Sequence, residues 1–262
     1  MSGPTVASAS TGQLTAMLSI DAPAAVLASA TAVANGLVAK PVANAALMQA
    51  LIDDAAAEGS PGQVTVLHRN VRIAAPLAAA INGAAMPSDG DEIFVPAFAA
   101  SLAAAEYARA PSAAWLAGFA AGAEVSARLA RAWSTDKPRQ FIPASAVGQI
   151  GATLAVCRIL GLAPAATAAA LGFSAIQLSG TAPAGTPEYA LSVGNAARVA
   201  IEVAFIAGFG VSGPLNAVEA AGLMLAAPHL ADQLAGLAAE WIIGGRSEHA
   251  EALDRRIAAL LD

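Results

Sequence analysis

Charge is scarce in this chain. Only 12% of its 262 residues are charged, about half the share usual in globular domains. The 13 Lys and Arg residues are dispersed and the net charge is −6. Nucleic-acid binding needs a concentrated basic face, so no nucleic-acid partner is expected. Cysteine is almost missing too. Cys157 stands alone, which excludes a disulfide framework and a thiolate zinc site and predicts a reducing, cytoplasmic setting. The three histidines, His68, His229 and His249, stand apart. None sits at ligand spacing from another histidine, a cysteine or a carboxylate, so no metal site is expected. There is no glycine-rich phosphate loop after a strand and no G-x-S-x-G elbow, and no cofactor is expected. The opening MSGPTVASASTGQL lacks the basic start and apolar stretch of a secretory signal.

Long unbroken hydrophobic runs are also lacking, although 57% of the residues are apolar. A bilayer span needs about 20 apolar residues with few breakers. The longest uncharged run, Ile159 to Pro187, is interrupted by Pro164, Gly172, Gly180 and Pro183. It reads as short packed elements, and no membrane span is expected. Much of the apolar content is alanine, a strong helix former. Such a chain is expected to be helical and to bury its surface against itself and against partner chains.

The punctuation places the helices. Residues 11–58 predict two or three, ending in LMQALIDDAAAEG, where Gly59 suits a C-terminal cap. In GQVTVLHRNVRIAAP, Val64 and Val66, then Val71 and Ile73, alternate around HRN, which predicts a short hairpin near 63–74. From Leu77 onward the pattern predicts helices over 77–86, 93–109, 112–133, 145–160, 164–178, 192–208, 215–226 and 246–261. Gly161 followed by Pro164, and Gly213 followed by Pro214, mark a helix stop and a first-turn proline start. Facing alanines and glycines let helices approach closely, with Trp115, Trp133 and Trp241 filling the gaps. The expectation is one all-α domain over 1–262, with at most that short hairpin.

One stretch interrupts the uncharged background. INGAAMPSDGDEIFVP, residues 81–96, sets Asp89, Asp91 and Glu92 close together just before an apolar helix. Oxygen ligands of this kind suit magnesium or calcium, but the further ligands of a calcium loop are missing. A solvated turn whose carboxylates cap the next helix accounts for the cluster without any chemistry. The residues alone leave both readings open.

Five collinear blocks between about residues 60 and 225 resemble the MmgE/PrpD family, which includes 2-methylcitrate dehydratase, cis-aconitate decarboxylase and iminodisuccinate epimerase. They are QVTVLHRNVRIAAPLAAAINGAAM; FVPAFAASLAAAEYA; WLAGFAAGAEVSARLARA, with Gly122, Glu124 and Arg128 in place; FIPASAVGQIGATLAVCRILGLAPAATAAALGFSAIQLSG; and LSVGNAARVAIEVAFIAGFGVSGPLNAVEA, which carries Gly194 to Arg198 and Gly213-Pro214. RSEHAEALDRRIAALLD resembles the terminal helix. The resemblance implies a large helical domain without the family's smaller lid domain, and a dimer.

The departures fall on the family's catalytic positions. Met86 and Pro87 stand where the family has a histidine ahead of the acidic cluster. Ile142 replaces the histidine of a phenylalanine-histidine-proline segment. Tyr189 aligns best with a lysine, and Ser192 with the adjacent histidine. Proton abstraction beside a carboxylate needs a base, and cationic groups to hold the acid. The resemblance therefore implies a divergent subunit of a homo- or hetero-oligomeric lyase, isomerase or cyclase in specialised metabolism. Its substrate is a small metabolite, one that bears an amine in the sharpest form of the reading. Asp89 and Asp91 are the expected base or cation anchor, with Asn82, Glu92, Ser145, Gln149, Tyr189 and Asn195 as substrate-binding neighbours. Two alternatives stand beside it: a noncatalytic scaffold subunit paired with a more complete homologue, and a dehydratase-type lyase acting on a small carboxylic acid.

Overall fold

A computed structural model describes residues 9–57, 62–86, 92–134, 144–178, 186–219, 234, 237 and 241–243. Within them the chain forms nine α-helices and one two-stranded hairpin. The helices are α1 (Ala9–Ala16), α2 (Ala24–Ala39), α3 (Ala45–Ala57), α4 (Ala75–Ala85), α5 (Val95–Ala108), α6 (Ser112–Ser134), α7 (Ala144–Ile159), α8 (Pro164–Ala175) and α9 (Pro187–Gly208). The hairpin pairs β1 (Val64–Thr65) with β2 (Arg72–Ile73), antiparallel, Val64 opposite Ile73 and Thr65 opposite Arg72. His68 is exposed in its turn, at φ 60. The chain is thus all-α with a short hairpin, as the punctuation predicts.

The core is built around α7. Every residue from Ala144 to Cys157 is buried, so this stretch of the helix has no solvent face. Burying side chains such as Val147, Ile150 and Leu154 stabilises the fold by about 1.5–3 kcal/mol each. α6 packs antiparallel on α7 at van der Waals limit. A Cβ on Gly122 would lie 2.5 Å from the Gly151 carbonyl oxygen and 2.8 Å from the Ala155 methyl. α4 crosses α9 in the same manner, with a Cβ on Gly83 falling 3.0 Å from the Gly194 Cα. Alanine and glycine are therefore the contact residues of the bundle, and aromatic rings fill what remains. Trp115 stacks on Phe119 with centroids 6.1 Å apart, and both meet Phe98 edge-on.

Helix directions follow from the contacts. Phe98 meets Phe119, Ser101 accepts from the Trp115 indole at 3.2 Å, and α5 and α6 are joined at 109–111, so the two run antiparallel. α5 and α9 run the same way: Glu92, just before α5, acts electrostatically on Tyr189 near the start of α9, and Tyr107 meets Phe205 near both ends. One end of the bundle thus gathers the beginnings of α5, α7 and α9. The other gathers the end of α5, the beginning of α6 and the hairpin.

Polar staples are few, and each fastens distant segments. Glu124, wholly buried on α6, accepts from Arg128 Nε at 2.7 Å and from the backbone N–H groups of Ile242 and Ile243 at 2.8 Å. Arg158 at the end of α7 donates to the carbonyls of Met17 and Ile20 at 2.5 and 2.7 Å, which ties the turn after α1 to the core.

The largest boundary difference is at α9. Its predicted start is residue 192, whereas the helix begins at Pro187 with Thr186 as its cap, the hydroxyl accepting from the Tyr189 N–H at 3.2 Å. A first-turn proline behind a capping threonine starts a helix, and Glu188 suits the first turn. Of the predicted helix over 215–226 only the opening lies within the described residues, and Gly59 and the helix over 246–261 lie outside them. Among the described helices only α9 is long and apolar enough to cross a membrane, and 61% of its most apolar stretch is buried inside the protein.

Candidate functional site

Asp89 and Asp91 lie outside the described residues, as do Pro87 and Ile142. The six other predicted site residues divide into two groups. Three are bound into the scaffold. Asn82, buried near the end of α4, accepts from the Leu67 N–H at 2.8 Å and donates to the Thr65 carbonyl at 3.1 Å. Its amide fastens the hairpin to the bundle. Gln149, buried on α7, donates to the carbonyl and hydroxyl of Ser174 at 2.8 and 3.3 Å. Thr153 joins the same group by donating to the Gln149 carbonyl and lying 2.9 Å from the Ser174 hydroxyl, so α7 and α8 share a satisfied polar patch. Asn195 accepts from Arg198 Nε and Nη2 at 3.2 and 2.8 Å, and Arg198 pairs with Glu202 at 2.8 Å further along α9.

The other three meet at one end of the bundle. Glu92 stands in the turn that leads into α5, and Tyr189 is buried in the first turns of α9. Burial holds the Tyr189 phenol above its ordinary range, and the negative charge of Glu92 pushes it the same way. A phenol so placed keeps its proton and is suited to donating a hydrogen bond rather than to acting as a base. Ser145 is buried in the first turn of α7, one turn before Gly148. A Cβ on Gly148 would lie 2.9 Å from the Ile93 carbonyl oxygen, so the beginning of α7 adjoins the Glu92 turn directly.

A fourth residue belongs here. Ser192 is one turn beyond Tyr189, and its buried hydroxyl has no hydrogen-bond partner among the described residues. An unsatisfied buried hydroxyl costs about 1–3 kcal/mol, so its persistence calls for an explanation. Periodicity gives no signal for it; only the family resemblance singles out this position. The chemistry of the described residues at this end is thus a carboxylate, a neutral phenol and two hydroxyls. Such a set binds and orients a polar ligand, and Tyr189 has a proton to give. The described residues of α4, α5, α7 and α9 include no histidine and no lysine.

Two comparisons bear on this arrangement. The sequence profile of the MmgE/PrpD N-terminal domain matches residues 21–233. Cis-aconitate decarboxylase of Homo sapiens is 37% identical over 99 residues, which cover 36% of this chain and 20% of that protein.

Proposed function

The chain belongs to the MmgE/PrpD family through its N-terminal domain, and on that premise we propose that the Glu92–Tyr189 end is the ligand pocket of a divergent lyase, isomerase or cyclase. The pocket works in an oligomer, with a second copy of the chain or with a family homologue. Its substrate is a small metabolite bearing an amine or another cationic group. Asp89 and Asp91 supply the base or the cation anchor, Tyr189 donates a proton or hydrogen bond, and Ser145 and Ser192 orient polar groups.

The observation that carries this reading is the buried Tyr189 phenol, exposed to the charge of Glu92, one turn from the unsatisfied Ser192 hydroxyl. A phenol whose ionisation is opposed first by burial and then by the charge of a nearby carboxylate is a group of the kind that functional sites hold. Positions that align with the lysine and histidine of the family hold a phenol and a hydroxyl, which favours a cation over a polycarboxylate.

The test is to isolate the protein with its native partners and follow host metabolites by mass spectrometry. A cationic metabolite consumed by the wild type, and spared by Asp89→Asn and Tyr189→Phe, supports the proposal. Normal assembly of both variants with unchanged turnover and ligand binding sinks it. A second reading, a decarboxylase- or dehydratase-type lyase acting on a small carboxylic acid, is favoured by the similarity to cis-aconitate decarboxylase. Consumption of a polycarboxylate in the same assay would select it.

A further inference from the structure

The opposite end of the bundle carries a cleft that the proposed reaction does not use. It encloses about 730 Å³ and is lined by Arg72, Leu102, Ala105, Glu106, Arg109 and Trp115, among others. That volume is in the range of small-molecule sites. At 1.5 Å per helical residue, Glu106 lies roughly 16 Å along α5 from Val95, well away from the Glu92–Tyr189 pocket.

The cleft's charges are unequal. Glu106 is fully engaged: it accepts from the Thr65 N–H at 2.8 Å and hydroxyl at 2.7 Å, and pairs with Arg72 at 2.9 Å. Arg72 also donates to the Gln63 carbonyl. Arg109 has no carboxylate partner among the described residues. Among the described residues, two guanidiniums against one carboxylate leave one uncompensated positive charge. Arg109 also holds an unusual backbone. At φ 53 and ψ 38 it closes α5 in the left-handed region, with its own N–H and that of Ala110 bonded back to the Glu106 and Ala105 carbonyls. Glycine is the usual residue for that closure, so a long cationic side chain is kept there at a steric cost. Gln63 and Ser112 add polar groups to the lining, and Leu102, Ala105 and Trp115 form an apolar wall. The Trp115 N–H is already donated to Ser101, and its ring is locked against Phe119 and Phe98.

We infer that this cleft binds a small organic monoanion, a carboxylate carrying a flat or apolar body, with Arg109 taking the carboxylate, Arg72 beside it held in place by Glu106, and Trp115 and Leu102 receiving the body. One net positive charge matches one negative charge, and the planar guanidinium presents its donors in the geometry of a carboxylate.

The test is calorimetric titration of the full chain at low salt with benzoate, and separately with inorganic phosphate. Benzoate binds saturably, at one per chain. Arg109→Gly weakens it by about tenfold or more, the scale of one charge-assisted hydrogen bond lost. Glycine suits the left-handed closure, so this variant keeps its thermal midpoint and the loss cannot be put down to unfolding. Tyr189→Phe leaves benzoate binding unchanged. The inference is overturned by no saturable binding to the wild type, by an Arg109→Gly variant that binds like the wild type, by phosphate binding tighter than benzoate, or by loss of benzoate binding in Tyr189→Phe.

Discussion

Where α5 begins, a carboxylate adds to the burial that opposes ionisation of a phenol; where α5 ends, a carboxylate is pinned between a hairpin and an arginine, in a cleft open to water. Among the described residues each end sets one acidic residue against an alanine background, and the surroundings decide what each does. In the buried setting of Tyr189, a charge shifts a neighbour's ionisation and little water screens it. In the open cleft, Glu106 and Arg72 gain little from their attraction alone, so Glu106 matters through its bonds to Thr65 and its orientation of a guanidinium. The first end is suited to moving or holding a proton. The second is suited to recognition.

The comparison assumes a trunk that holds the two ends apart, and the largest effect probes that trunk. Glu124→Ala removes a wholly buried carboxylate from Arg128 and from two backbone N–H groups, and should destabilise the protein by about 3–5 kcal/mol in urea unfolding. A loss under about 1 kcal/mol would mean the 241–243 segment contributes nothing to the trunk. Glu106→Ala should cost less, about 1–3 kcal/mol, because it releases Thr65 and Arg72 at a partly exposed site. Measured in the same variant, the ionisation of Tyr189 should stay where it is. If it moves, the two ends are coupled and the contrast between them fails.

A smaller effect sharpens the buried end. The chain has two tyrosines, so in a Tyr107→Phe background the ultraviolet tyrosine titration reports Tyr189 alone. It should ionise above the ordinary phenol range, and Glu92→Gln should lower it part of the way, leaving the contribution of burial. The sign for stability follows. A raised folded value means the neutral phenol's contribution is fully present below about pH 10, the unfolded value, and is lost as pH rises beyond it. An unmoved titration in Glu92→Gln would separate the two side chains. The smallest effect is at Cys157, whose thiol burial pushes up to about 12. At neutral pH it should resist a disulfide reagent in the folded protein and react only after unfolding. Labelling of the native protein at neutral pH would show the core opening at α7.

Much of the fold was legible because helix starts and stops are local chemistry. Pro164, Gly161 and the valines around HRN act within a few residues of themselves, and the elements they predict are in the structure. The predicted start of α9 falls late because Thr186-Pro187 closes an uncharged run, broken by glycines and prolines, that gives no periodicity to measure. The site was less legible. Asn82, Gln149 and Asn195 are polar residues in apolar helices, which looks the same in sequence whether they face a ligand or fasten the backbone. Only the hydrogen bonds of Asn82 to the hairpin and of Gln149 to Ser174 distinguish the two.

By itself the sequence determined a helical chain with small contact residues and sparse charge, since composition and short-range punctuation suffice for these. The tertiary structure alone decided that the charge of Glu92 reaches Tyr189, that the Ser192 hydroxyl is buried without a partner among the described residues, and that Arg72, Glu106 and Arg109 share a cleft. Those residues are placed by close helix packing, as where Gly148 of α7 meets Ile93 and Pro96 at the start of α5, and the energy of such packing depends on both surfaces at once rather than on any stretch of chain.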